Sequence, residues 1–173
     1  MRKLCVILLI ALLLCGCSKD TLLETVSDVP AEQVVARVQQ IRVNLPPELS
    51  TPAMQSQEGG KLYLGEDYSV LVQTLQAGDL AQTVCTVTGL DKENLQIQTT
   101  QQGSAKRYQF TWVTTGERGA RVGRTCILDD GTYHYVLTAL AEEAAAEKLQ
   151  PTWKEMFASF CLAPEKEPVS TGS

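Results

Sequence analysis

The sequence contains 173 residues, and its 15 Lys and Arg against 20 Asp and Glu give a formal net charge of −5 at pH 7. Cation contacts to phosphates dominate nucleic-acid affinity, so an acidic chain without a basic run is a poor nucleic-acid binder. Cys85, Cys126 and Cys161 form no CxxC pair and the chain has one histidine, which argues against a structural zinc site and predicts no metal or other cofactor.

The N-terminus has the layout of a secretory signal. Arg2 and Lys3 precede an unbroken apolar run over residues 4–14. The run is shorter than the roughly 20 apolar residues that a membrane-spanning helix needs. A basic start followed by a short apolar segment therefore indicates a signal peptide rather than a membrane span.

The end of this segment resembles the lipobox of bacterial lipoproteins. Leu14, Cys15, Gly16 and Cys17 follow one another, and Gly16 occupies the small-residue position before the cysteine. In that family the cysteine is lipidated and the peptidase then cuts before it, which implies that residues 1–16 are removed and that Cys17 is the lipidation site. Cys15 does not match, because Leu14 would then stand at the small-residue position. The alternatives are an ordinary secretory signal with an incidental Cys17 and an uncleaved N-terminal anchor.

The lipobox resemblance implies a permanent lipid anchor on the extracytoplasmic side of a cell membrane or outer membrane. The family modification adds several acyl chains, palmitate among them, and several chains bind membranes stably where one binds marginally. Removing Arg2 and Lys3 leaves 13 basic against 20 acidic residues, a net charge of −7, so attraction to anionic lipids does not explain anchoring. In a two-membrane cell, Ser18 after the lipidated cysteine favours the outer membrane by the family rule.

The 157 residues after the signal peptide amount to one domain. We predict a polar lipidated tether over residues 17–32, one domain over residues 33–163, and a disordered Pro-rich tail over residues 164–173. Residues 36–45 fit either a helix or a strand. Alternating Ile41, Val43 and Leu45 favour a strand, which Pro46 and Pro47 end.

A hairpin and a short helix follow the predicted loop over residues 50–60. KLYLG and DYSVLVQTLQ flank the turn at residues 65–67, and Tyr68, Val70 and Val72 share one strand face. Apolar residues at helical spacing then follow Asp79, a predicted N-cap, and end at Gly89. We expect Cys85 near the buried side of this helix; the three cysteines at positions 85, 126 and 161 are interpreted as buried apolar residues, with at most one disulfide among them.

Four alternating runs then predict an antiparallel meander: ENLQIQTTQQ, RYQFTWVTTG, ARVGRTCILDDG and TYHYVLTAL. Asp130-Gly131 is the strongest hairpin signal, and Gly103-Ser104 and residues 116–119 supply the other turns. The glutamine- and threonine-rich run indicates a solvent-facing edge strand. EEAAAEKLQPTWKEMFASFCL predicts a helix with an apolar stripe that starts or kinks near Pro151. Strands separate from helices indicate an α+β fold, an antiparallel sheet with packed helices.

The pairing of DGTYHYVLTAL with LQPTWKEMFASF looks like the closing strand and helix of the PsbP-like superfamily. This superfamily includes the extrinsic photosystem II subunit, a Ran-binding nuclear import factor and the bacterial lipoprotein DcrB. The resemblance spans residues 41–162 and rests on Leu45-Pro46 after the first strand and on the closing Trp153-to-Phe160 segment. It implies a central antiparallel sheet with helices packed on it and no shared catalytic residues.

His134 is the only candidate general base, and we interpret it as a surface or half-buried residue opposite the tyrosine face of its strand. Asp129 and Asp130 lie just across the turn, but no nucleophile motif such as GxSxG accompanies them. We interpret the two aspartates as turn residues rather than calcium ligands. Tyr108 and Trp112 share a strand face and indicate core packing rather than a sugar platform.

Two functional hypotheses remain. The favoured one is a lipid-anchored, extracytoplasmic, non-catalytic binding or accessory domain of the bacterial cell envelope, held on the membrane by its N-terminal lipid and contacting another envelope protein. The alternative is a small envelope enzyme that uses His134 with a nearby aspartate. It requires a concave pocket that joins His134 to an acid and a nucleophile, and a solvent-exposed His134 without partners would exclude it.

Overall fold

The computed structural model describes residues 37–116 and 119–163. The predicted signal peptide 1–16, with Cys17 next to it, the tether 17–32 and the tail 164–173 lie outside the described residues. Nine strands occur in the described part of the chain: β1 (Ile41–Arg42), β2 (Met54–Gln55), β3 (Lys61–Leu64), β4 (Tyr68–Gln76), β5 (Gln98–Gln102), β6 (Ala105–Gly116), β7 (Gly119–Asp129), β8 (Tyr133–Glu142) and β9 (Cys161–Leu162).

Seven of these strands form one antiparallel sheet in the order β2-β3-β4-β8-β7-β6-β5. The predicted hairpin at residues 65–67 is confirmed, since β3 pairs with β4. The Asp130-Gly131 hairpin between β7 and β8 is also confirmed, and Gly131 has the positive φ (90°) that such turns favour. β5 is an exposed edge strand, as its glutamine-rich sequence predicts. The predicted α+β class is therefore confirmed.

Helix α1 (Leu80–Thr88) has the predicted ends. Asp79 accepts a hydrogen bond from the backbone N–H of Ala81, and Gly89 closes the helix in the left-handed conformation. Cys85 is exposed on this helix, so the prediction that it lies near the buried side is wrong. The helix instead buries Thr83 and Val84, the two residues that directly precede Cys85.

Helix α2 (Glu143–Ser159) begins eight residues before Pro151, so a start at the proline is wrong. Pro151 removes one N–H from the helical ladder, but the helix buries Ala146 before it and Trp153 after it. The predicted apolar stripe is confirmed, because Trp153, Phe157 and Phe160 are fully buried.

The predicted strand over residues 36–45 is wrong in extent. Only Ile41–Arg42 form a strand, and it pairs with β9 rather than with the main sheet. Ile41, Val43 and Leu45 do pack against the core while the residues between them are exposed. The alternation reports which side of an extended chain is buried, and it carries no information about backbone pairing.

The sheet buries both of its faces. On one face, α2 packs on a cluster that contains Val70, Leu137 and Trp153. On the other, α1 packs on a second cluster that contains Val84, Ile127 and Val136. The central strand β8 is therefore buried on both sides over most of its length.

The three described cysteines are free thiols in different environments. Cys126 is fully buried and burial raises its pKa to about 12, although Arg107 and Arg124 act in the opposite direction. Cys161 is half-buried and Cys85 is exposed. The interpretation as three buried cysteines is thus wrong for Cys85.

Candidate functional site

His134 lies in the core rather than at the surface, so the prediction of a surface or half-buried histidine is wrong. Its exposed fraction is 1%. The residue faces away from the tyrosine side of β8, as predicted, but α1 covers that face too and presents Thr83. Sequence alternation could not show this because Thr83 on the covering helix lies 51 residues before His134 in the chain.

His134 has both of the partners that a catalytic base would need. Its Nδ1 lies 2.7 Å from Thr83 Oγ1, and its Nε2 lies 3.7 Å from Asp129 Oδ1. A neutral ring with its proton on Nε2 faces the carboxylate with that N–H and accepts the Thr83 hydroxyl at Nδ1. Thr83 is only 5% exposed, so neither the hydroxyl nor the imidazole is open to a substrate.

The two aspartates of the β7–β8 turn act as turn residues, as predicted. Asp129 accepts a hydrogen bond from the N–H of Gly131, and Asp130 accepts from the N–H groups of Thr132 and Tyr133. These bonds occupy carboxylate oxygens that a calcium ion would need.

Asp130 also fastens the start of the described chain to the sheet. Its Oδ2 accepts from the Gln39 side-chain amide at 3.1 Å and from the Tyr135 hydroxyl at 2.8 Å, and that hydroxyl accepts from the Gln39 N–H. Burial alone would raise the pKa of Asp130, but the bonds from Tyr133, Thr132, Tyr135 and Gln39 outweigh it and lower the pKa. Burial together with Asp130 raises the pKa of Tyr135 to about 12.

The aromatic face of β6 belongs to the core, as predicted. Trp112 is 7% exposed, and Tyr108 packs in the same cluster. The Trp112 indole N–H donates to Thr125 Oγ1 at 3.0 Å, and Thr125 in turn contacts Thr138 Oγ1 at 3.1 Å. A buried indole with a satisfied N–H does not offer a stacking platform to a sugar.

The opposite face of β6 forms a polar groove beside α2. The groove consists of two adjoining recesses of about 380 and 240 Å³, which share Gln109 and Arg124. The larger recess is lined by Gln101, Gln102, Arg107, Gln109, Arg124, Lys154 and Ala158. The smaller is lined by Gln96, Gln98, Gln109, Phe110, Thr111 and Arg124.

Arg107 is fixed at the C-terminus of α2. Its guanidinium donates to the carbonyl oxygens of Phe157 and Phe160, which the helix leaves without N–H partners, and to Gln102 Oε1 at 2.6 Å. A cation at this end also suits the helix dipole. Arg107 thus contributes a rigid positive charge to the groove.

Arg124 makes no such hydrogen bonds with the residues that the structure describes. Its guanidinium carbon lies 4.8 Å above the centroid of the Phe157 ring, a cation–π contact. Burial lowers the pKa of Arg124, the Cys126 thiol opposes this, and the positive charge of Arg107 adds to the lowering. Arg124 is therefore a half-buried cation in an unfavourable electrostatic environment.

The sequence analysis did not find this groove. The signal was present in RYQFTW, where Arg107 and Gln109 alternate with the aromatic residues. It indicates a strand with one polar and one apolar face, but not that Lys154 and Arg124 would meet there. The predicted lipidation site, Cys17, lies outside the described residues. None of the helices in residues 37–116 and 119–163 is long and apolar enough to cross a membrane.

No family model and no curated protein sequence matches the chain. Among solved structures it is similar to LpqN of Mycobacterium tuberculosis, a protein involved in cell envelope biogenesis: 14% identity, TM-score 0.50, 73% of this chain and 85% of LpqN covered. It is also similar to a Pseudomonas aeruginosa protein of unknown function (14%, TM-score 0.47, 75% and 87% covered) and to the Saccharomyces cerevisiae Ran-binding protein Mog1p (16%, 0.46, 70% and 89%). At these identities the likeness to LpqN shows the fold alone.

Proposed function

We propose that this chain is a lipid-anchored, extracytoplasmic, non-catalytic binding domain of the bacterial cell envelope. The observation that carries the proposal is the contrast between the sealed His134 and the open groove. The groove offers permanent cations and side-chain amides, which bind ligands through charge and hydrogen bonds. Arg and Lys stay protonated near neutral pH and amides do not titrate there, so these groups suit binding better than proton transfer.

The location rests on the sequence before the described residues. Gly16-Cys17 behind a short apolar run supports a lipidated Cys17 and a processed signal peptide. LpqN, which shares the fold, is involved in cell envelope biogenesis, and this agrees with an envelope location.

Membership of the PsbP-like superfamily is part of the same proposal. It is supported by the contact between the two segments that carry the resemblance. The N–H of Asn44 donates to Ser159 Oγ at 2.8 Å, and Leu45 packs against the cluster that contains Trp153.

The anchor is tested with two matched cysteine variants of the full-length chain. Cys17→Ser should release the protein from membranes or leave an uncleaved precursor, whereas Cys15→Ser should still be processed and membrane-bound. Cell fractionation and intact mass measure both outcomes. A Cys17→Ser chain that is still processed and membrane-bound would contradict the anchor.

The enzyme alternative has one observation in its favour, the contact of His134 with Thr83 and Asp129. It is tested by screening the purified chain against generic ester, peptide and phosphate substrates. We expect no turnover. Turnover that disappears in a folded His134→Gln variant, and persists in an exposed control such as Gln82→Ala, would support the enzyme instead.

A further inference from the structure

Three cations meet in one recess of an otherwise acidic domain. Arg107, Arg124 and Lys154 line the larger recess of the groove. Among the described residues, no carboxylate lines either recess. The chain after residue 16 carries a net charge of −7, so the recess is a positively charged area on a negatively charged domain. A concave surface lined by one sign of charge concentrates ions of the opposite sign.

The positive charge is not neutralised by the fold. Arg107 is held by carbonyl oxygens and an amide oxygen, and Arg124 by an aromatic ring. Within the described part of the chain, no ion pair joins either guanidinium to a carboxylate. Two guanidinium groups on one sheet face repel each other, and a bound anion would relieve that repulsion while taking charge-assisted hydrogen bonds from Arg124.

The rest of the lining is rich in amides. Five glutamines line the two recesses, at positions 96, 98, 101, 102 and 109. A side-chain amide both donates and accepts hydrogen bonds, which matches the hydroxyl groups of a sugar. Only Ala158 and Phe110 among the described lining residues have apolar side chains, so the lining suits a polar ligand better than a hydrophobic one.

We propose that the groove binds an anionic glycan, a hydroxyl-rich chain that carries phosphate or carboxylate groups. The anionic group lies against Arg124 and Lys154, and Arg107 adds a fixed positive charge. The Gln102 amide is already bonded to Arg107 and to the Phe160 carbonyl, so the other glutamine amides bind the hydroxyls. The inference rests on the proposed function as a binding domain and names its ligand class. Single-stranded nucleic acid is bound largely by stacking its bases on aromatic side chains, and Phe110 is the only aromatic residue in the described lining.

The test is isothermal titration of the full-length chain in neutral detergent with three polymers: poly(glycerol phosphate), polygalacturonate and uncharged dextran. We expect saturable, salt-sensitive binding of at least one anionic polymer and none of dextran. Arg124→Gln and Lys154→Gln should each weaken that binding about 10- to 100-fold, the usual size of a lost charged hydrogen bond. Lys154 is exposed, so its variant should fold even if the Arg124 variant does not.

The matched control is Lys106→Gln. Lys106 is exposed on the same strand, one residue from Arg107 and on its opposite face, so the change in net charge is the same. The affinity of the Lys106→Gln variant for the anionic polymer should stay within about twofold of the wild type, because salt screens surface charges that lie away from the site.

The outcomes separate the ligand sources. Binding of the phosphate polymer alone, or of the carboxylate polymer alone, supports the inference and identifies the anionic group. Three results would overturn it: no binding of either anionic polymer, equal binding of dextran, or equal effects of the groove variants and Lys106→Gln. If the protein is anchored at Cys17 and turns over no substrate but fails this test, only the inference of an anionic glycan ligand is contradicted.

Discussion

At the scale of single residues, His134 and Arg124 differ in whether their polar atoms are occupied by partners within the fold. His134 is sealed between Thr83 and Asp129, and its contacts are internal to the fold. Arg124 keeps its hydrogen-bond donors free of protein acceptors in the described residues while lining both recesses. Charged donors without a protein partner at a concave surface are available to a ligand, whereas the ring nitrogens of His134 have partners within the fold.

Gly123 is required by the packing of Trp112 across the β6–β7 pair. A Cβ built on Gly123 would overlap Cε2 of the Trp112 indole. Gly123→Ala should therefore lower the free energy of unfolding by about 1–3 kcal/mol, the usual cost of overpacking. Gly116→Ala is the control, because a Cβ there meets no atom within 4 Å. Urea unfolding measures both, and equal losses would contradict the packing argument.

The hydrogen bonds to Asp130 predict a pH dependence of stability. Its pKa is lower in the folded state than in the unfolded chain, so its contribution is complete above the unfolded-state pKa of about 3.9 and is lost as pH falls through the folded-state pKa. Asp130→Asn should lower stability at pH 7 by about 1 kcal/mol, a modest figure because the group is partly solvated. The difference in the free energy of unfolding between the wild type and Asp130→Asn should decrease below about pH 4.

Urea unfolding between pH 7 and pH 3 checks this expectation. Asp67→Asn, at an exposed turn position, serves as the control and should run parallel to wild type. An Asp130→Asn gap that stays constant down to pH 3 would show that the carboxylate charge is not what holds Gln39 and Tyr135.

Among the elements, α2 is the one whose loss the fold should not survive. Trp153, Phe157 and Phe160 are fully buried against the sheet. Truncating one such side chain typically costs about 3–5 kcal/mol, and a whole domain has only about 5–15 kcal/mol. Deleting residues 149–173 should abolish cooperative unfolding, whereas deleting residues 164–173 should leave the melting temperature nearly unchanged. Calorimetry measures the unfolding transition of both truncated chains. The same transition in both would contradict the claim that α2 is part of the core.

The elements also show what sequence patterns can and cannot predict. Asp79 and Gly89 predicted the ends of α1, and Asp130-Gly131 predicted a hairpin, because caps and turns depend on local chemistry. The length of β1 and the start of α2 were wrong, because pairing and packing with distant segments decided them. Burial of His134 was missed for the same reason.

The groove could be predicted only in part from the sequence. The polar face of β6 is readable from Arg107 and Gln109, which alternate with aromatic residues. The meeting of that face with Arg124 and with Lys154 depends on strand order and on where α2 crosses the sheet. Candidate ligand-binding residues therefore became visible only in three dimensions.

At the scale of the whole molecule, a predicted lipid anchor is combined with an acidic domain that carries a cationic groove. Anchoring at Cys17 would hold the groove at the membrane surface without electrostatic attraction to anionic lipids, from which the net charge of −7 repels the domain. Such an arrangement would suit the proposed role of binding another component of the envelope.

Site-specific photo-crosslinking in intact cells tests the binding role most directly. A photoreactive residue replaces Gln109, which lines both recesses, or Gln82, which is exposed on α1 over the opposite face of the sheet. The account predicts adducts with an envelope component from position 109, their loss when Arg124→Gln is added, and none from position 82. Adducts from position 82 alone, or from neither position, would contradict a binding domain that works through this groove.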